Sequence, residues 1–108
     1  MKIKELTTIG FKPTPKKDYY YYIQNHFYLL LQILPHHKIA LLLTTEDNQH
    51  QRDVLEQLFI KRDDVERIYS NEEGAGLVLT SRIKKEELQE IILKLKEEIN
   101  QSPQCHHC

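Results

Sequence analysis

The sequence has 108 residues, a formal net charge of −1 and a hydrophobic fraction of 40%, which suits one domain with one core. Fifteen Lys and Arg balance sixteen Asp and Glu, so no overall field draws the chain to nucleic acid or to an anionic membrane. The opening MKIKELTTIGF lacks the apolar stretch of a secretory signal, and no apolar run reaches bilayer length; a cytoplasmic protein without membrane association is expected.

Residues 2–11 alternate, with Ile3, Ile9 and Phe11 on one side and Lys2 and Lys4 on the other, which predicts a short strand in spite of the out-of-phase Leu6. Thr14 and Pro15 then suit the N-cap and first position of a helix that Pro35 closes. Between them Tyr20, Ile23, Phe27, Leu30, Leu31 and Leu34 follow one helical stripe. Tyr19, Tyr22, Tyr28, Leu29 and Ile33 fall on other faces, so this helix is expected to have a second contact surface.

The run KIALLLTT predicts a strand buried on both faces and central in its sheet. A helix over 47–61 follows, with Thr44 or Thr45 as N-cap and a stripe of Val54, Leu55, Leu58 and Phe59. Val65–Ser70 and Ala75–Thr80 read as a hairpin turning at Gly74. Leu88, Ile91, Ile92, Leu95 and Ile99 mark a last helix that ends near Asn100.

The expected fold is therefore α+β: a single two-layer domain over residues 1–102 in the order β-α-β-α-β-β-α. A sheet of three or four strands, ferredoxin-like or related, carries its helices on one face, and residues 103–108 form a tail. Within 38–100 the succession β-α-β-β-α resembles the ligand-binding regulatory modules of ACT type. The resemblance implies a regulatory domain that binds a small ligand. It lies in element order, not in a motif; the strand after the last helix is missing, a long Tyr-rich helix is added, and no ligand residue is carried over.

Two constellations point to chemistry. The tail CHHC sets Cys105 and Cys108 at the C-x-x-C spacing, at which two thiolates can hold zinc or copper. His106 and His107 are adjacent and diverge, so a closed site would need further ligands, for which His36 and His37 are the candidates. Two cysteines three positions apart cannot staple the fold, and a solvated tail is the plain alternative. The tetrad Tyr19–Tyr22 covers every azimuth of a helix, so some rings must face solvent or a partner. With Lys12, Lys16 and Lys17 these tyrosines, Tyr19, Tyr21 and Tyr22 above all, form a candidate partner or nucleic-acid surface.

Other signals fail. EEGAGL lacks the third glycine of a phosphate-cradling loop and does not open a helix. Glu46, Asp47, His50, Asp53, Asp63 and Asp64 read as a charged, solvated region, since helix starts favour acids for dipole reasons. With no residue assigned to catalysis, the expectation is a non-catalytic binding or regulatory domain, homodimeric, that takes a small ligand or a protein partner. Nucleic-acid binding and metal binding are the alternatives; no cofactor other than zinc is expected.

Overall fold

The N-terminal residues form a helix and not the expected strand: α1 spans Ile3–Ile9, in a computed structural model that describes residues 3–24, 26–46, 51–81 and 83–101. Leu6, out of phase for a strand, stands one helical turn from both Ile3 and Ile9. Gly10, at φ 121°, ends the helix, and the N–H groups of Gly10 and Phe11 both donate to the Leu6 carbonyl at 3.2 and 3.0 Å. Leu6 and Phe11, on either side of this cap, are buried in the core.

The Tyr-rich segment is likewise not a helix. It forms β1 (Lys12–Pro13), β2 (Tyr19–Ile23) and β3 (Phe27–Ile33), joined as antiparallel neighbours. Aromatic residues with Leu and Ile fit a pleated surface, and here they alternate: Tyr22, Phe27, Leu29 and Leu31 are buried, while Tyr21, Tyr28 and Leu30 are half-buried. The supposed cap also serves another purpose. Thr14 Oγ1 accepts the Lys16 N–H at 3.1 Å, and the Thr14 N–H donates to the Tyr19 carbonyl at 3.1 Å. Side-chain capping chemistry of this kind stabilises a turn as readily as a helix start.

A tight turn at Pro35–His37, closed by the Lys38 N–H donating to the Pro35 carbonyl, leads into β4 (Ile39–Thr45). As expected β4 is central, between β3 and β6, but only one of its faces is covered: Ile39, Leu41 and Leu43 are buried, Ala40, Leu42 and Thr44 half-buried. Thr44 and Thr45, candidate caps of the next helix, belong to this strand. Helix α2 is Gln51–Leu58. Its first side chain, the buried Gln51, accepts the Thr45 N–H at 2.9 Å through Oε1 and ties the helix to the end of β4.

The second half follows the sequence pattern closely. Strands β5 (Val65–Ser70) and β6 (Ala75–Leu79) form the hairpin, and Asn71 Oδ1 accepts the N–H groups of Glu73 and Gly74 in its turn. Helix α3 (Lys85–Gln101) buries Leu88, Ile91, Ile92, Leu95 and Ile99 as its spacing predicts. Its start is secured by Glu87, which accepts the Lys84 N–H at 2.9 Å.

The result is an α+β domain with a six-stranded antiparallel sheet, order β1-β2-β3-β4-β6-β5, and three helices among the described residues. This order differs from a ferredoxin-like sheet, and the elements run α-β-β-β-β-α-β-β-α. Residues of all three helices join one core cluster with Leu29, Leu31, Leu41, Leu43, Leu77 and Leu79 of the sheet. All helices therefore pack on one face. None of the described helices is long and apolar enough to cross a membrane.

Candidate docking surface

Strand pairing places alternate residues on the face opposite the helices, where they line up in rows across the strands. One row is Tyr19, Gln32, Ala40, Val78 and Arg67. The next is Lys12, Tyr21, Leu30, Leu42, Gly76 and Tyr69. Ile23, Tyr28 and Thr44 form a third. With strands spaced about 4.8 Å apart, the longest row runs ~24 Å from Lys12 to Tyr69.

The surface is aliphatic at its centre and aromatic towards both margins. Leu30 and Leu42 face each other across β3 and β4, with Val78 buried beside them and Ile23 61% exposed at one corner. The Tyr21 and Tyr28 rings lie nearly parallel, 7° apart, at a centroid separation of 6.1 Å. At the other margin Tyr69 lies over Gly76, whose missing Cβ leaves room for the ring: a Cβ there would come within 2.6 Å of the Tyr69 hydroxyl oxygen. Lys16 Nζ sits 4.5 Å from the Tyr19 ring centroid, and the Arg67 guanidinium carbon 5.4 Å from that of Tyr69.

A β-bulge sets the far margin. Val65 pairs with Leu79 and Arg67 with Val78, so Glu66 is an extra residue and the phase of the strand reverses there. Ile68 consequently packs against the core, while Arg67 and Tyr69 turn to the open face. Glu66, exposed, is held by Lys38 Nζ at 2.7 Å, and this hydrogen bond keeps its carboxyl below the usual range.

A polar network buttresses the opposite side, joining the segment after α2 to the start of α3. Arg62 donates two hydrogen bonds to Asp64, at 2.8 and 2.7 Å, and one to Glu87 at 2.8 Å; Ser81 donates to Asp64 at 2.5 Å. The Arg62 hydrogen bonds, with Ser81 adding to them against the cost of burial, pull the Asp64 carboxyl from 3.8 to about 2. Asp64 also raises the Arg62 pKa, while the Lys84 N–H and then Arg62 lower that of Glu87. Because the Asp64 value is depressed on folding, its contribution is complete above about pH 4 and disappears as pH falls through about 2. It is expected to be about 1–2 kcal/mol, below the full shift because Glu87 opens the network to water. Urea melts between these pH values should show that loss in the native chain and a smaller one in Arg62→Met, where Ser81 still holds Asp64.

Several sequence candidates are redistributed. Tyr19, Tyr21 and Lys12 belong to the open face, and Lys16 and Lys17 to the loop before β2. Tyr22 does not: it is 8% exposed, on the core side, with its ring 5.5 Å from Phe11. Its neighbours in the strand point the other way, so the tetrad divides two and two. Tyr28, expected on a second contact surface, does lie on the open face, whereas Leu30, Leu42, Arg67 and Tyr69 were missed as surface residues. Leu30 and Leu42 lie in the runs FYLLLQI and IALLLTT, which are too uniformly apolar to mark one face as open, and the outward turn of Arg67 and Tyr69 depends on the bulge.

His36 and His37 occupy the exposed β3–β4 turn, both at positive φ, 61° and 65°. Cys105, His106, His107 and Cys108 lie outside the described residues, as do Asp47 and His50. Among the described residues no three His, Cys, Asp or Glu side chains gather in a group that could hold a metal ion.

Fold and surface together define an α+β domain whose antiparallel sheet, among the described residues, is covered by helices on one side only. Comparison with protein-family models, with curated proteins and with solved structures finds no match for the chain.

Proposed function

We propose that this chain is a non-catalytic binding domain that docks a partner polypeptide on the open face of its sheet. One observation carries the reading: a contiguous field of Tyr, Leu, Val and Ile side chains spans the sheet opposite its helices. Its aliphatic centre, flanking tyrosines and charged margins match the anatomy of protein interfaces, where Tyr and Arg anchor and charge gathers at the rim. Fully covering one leucine is worth about 1.5–3 kcal/mol. Leu30 and Leu42 are half-buried already, so part of that gain remains for a partner to realise.

Peptides selected from a displayed random library against the intact chain test the proposal. Their affinity is expected to fall at least about tenfold on Leu42→Arg or Tyr21→Ser. It should stay unchanged on Leu93→Arg, a substitution at a 58% exposed residue of α3. Circular dichroism establishes that each variant folds. Binding that follows Leu93 and ignores Leu42 and Tyr21 removes the reading.

A further inference from the structure

We infer that the polypeptide seated on the open face is a different chain from this one and carries acidic side chains flanking an apolar stretch. The inference rests on the docking reading and adds the partner's chemistry to it. Every charged residue paired into the open face is cationic: Lys12 at the β1 margin and Arg67 at the β5 margin. No Asp or Glu occupies a paired position between them.

Two of the cations are placed where a docked chain would meet them. Lys16 lies against the Tyr19 ring and Arg67 against the Tyr69 ring, so positive charge is held beside the aromatic anchors at both margins. The acids at the perimeter do not cancel this pattern. Glu66 is engaged by Lys38 at 2.7 Å, Glu46 hydrogen-bonds His26 at 3.0 Å, Asp18 shares its loop with Lys16 and Lys17, and the exposed Glu72 and Glu73 stand in the β5–β6 turn beside Thr44, at the strand ends and not at the margins of Lys12 and Arg67.

A second copy is a poorer match in charge. A two-fold axis that stacks this face on itself, along or across the strands, sets Lys12 over Lys12 or over Arg67 of the other copy. Like charges then meet at both margins. A chain with acids flanking an apolar stretch places its apolar side chains over Leu30 and Leu42 and its carboxylates beside Lys12, Lys16 and Arg67. The apolar centre supplies affinity, while the margins supply selectivity and a faster encounter.

The test uses the intact chain and three pools of short fluorescent peptides. All share a central apolar stretch and carry flanks of Asp and Glu, of Ser and Gln, or of Lys and Arg. The acid-flanked pool is expected to bind about tenfold tighter than the neutral one, a gap that narrows as NaCl rises from about 0.05 to about 0.5 M. The double variant Lys12→Glu/Arg67→Glu, at two exposed positions, should reverse the preference and favour the basic pool. Equal binding of all pools, lost on Leu42→Arg, overturns the acidic partner and keeps the docking face. A dimer in sedimentation that Leu42→Arg dissociates has the same consequence and assigns the face to a second copy. Peptide binding indifferent to Leu42→Arg removes both readings, as does tighter binding of single-stranded oligo-dT through Tyr21 and Tyr28.

Discussion

Leu41→Ala is expected to destabilise the domain by about 3–4 kcal/mol, whereas Leu42→Ala, one residue on, costs about 1 kcal/mol. The two side chains leave the same strand on opposite faces. Leu41 is 1% exposed and pairs with Leu31 and Leu77, both fully buried, so its removal opens a cavity in the only core cluster of the described residues. Leu42 is half-buried between Leu30 and Gly76 on the face without helices, where water fills the space left by a truncated side chain. Urea denaturation of the two variants measures the difference directly. Comparable losses at both positions would show that the second face is also packed, and would leave no docking surface to occupy.

Gly74→Ala is the second large effect, at about 3 kcal/mol or more. A Cβ at Gly74 would overlap the carbonyl oxygen of Leu43, backbone that cannot move without disturbing the pairing of Leu43 with Ala75. The turn is fixed from its other side as well. The Gly74 N–H donates to Asn71 Oδ1 at 3.0 Å, and its carbonyl accepts the Asn71 N–H at 2.9 Å. Replacing glycine where alanine fits usually stabilises by about 0.4–1 kcal/mol, through a less mobile unfolded chain. The steric cost here outweighs that gain, so Gly74→Ala should lower the urea midpoint with little change in slope. A raised midpoint would mean that the β4–β6 contact is looser than described.

The second half of the chain was largely legible because its patterns are unambiguous. Leu88, Ile91, Ile92, Leu95 and Ile99 recur at helical spacing over about three turns, and the two runs beside Gly74 have hairpin length. In the first half both assignments were reversed. Phe27–Ile33 is apolar at nearly every position, so helical and strand spacings both find a stripe in it. Thr14-Pro15 tipped the choice towards helix, although a threonine hydroxyl that accepts an N–H two residues on serves a turn equally well. In α1, Lys2 and Lys4 beside Ile3 imitated the alternation of a strand over a segment too short for either period to prevail.

The candidate surface was legible only in part. Aromatic residues that cannot all be buried in one core announce a second surface, and Tyr19 and Tyr21 were among those chosen for it. Tyr22 was assigned to the wrong side because a helix spreads four consecutive rings around its axis, whereas a strand sends them alternately to two faces. Nothing local to Arg67 or Tyr69 shows that they reach the same field, since their direction follows from the bulge at Glu66 and from pairing with β6.

By itself the sequence determined the α+β class, the central place of KIALLLTT, the β5–β6 hairpin and the buried stripe of α3. Each depends on local periodicity and turn chemistry, which a residue shares only with near neighbours in the chain. Only the tertiary structure decided that six strands form one sheet and that their order is β1-β2-β3-β4-β6-β5, while the helices cover one side of it as the sequence pattern implied. Those outcomes are set by pairing between distant segments. The same pairing gathers Lys12, Tyr21, Leu30, Leu42 and Tyr69 from five strands into one row.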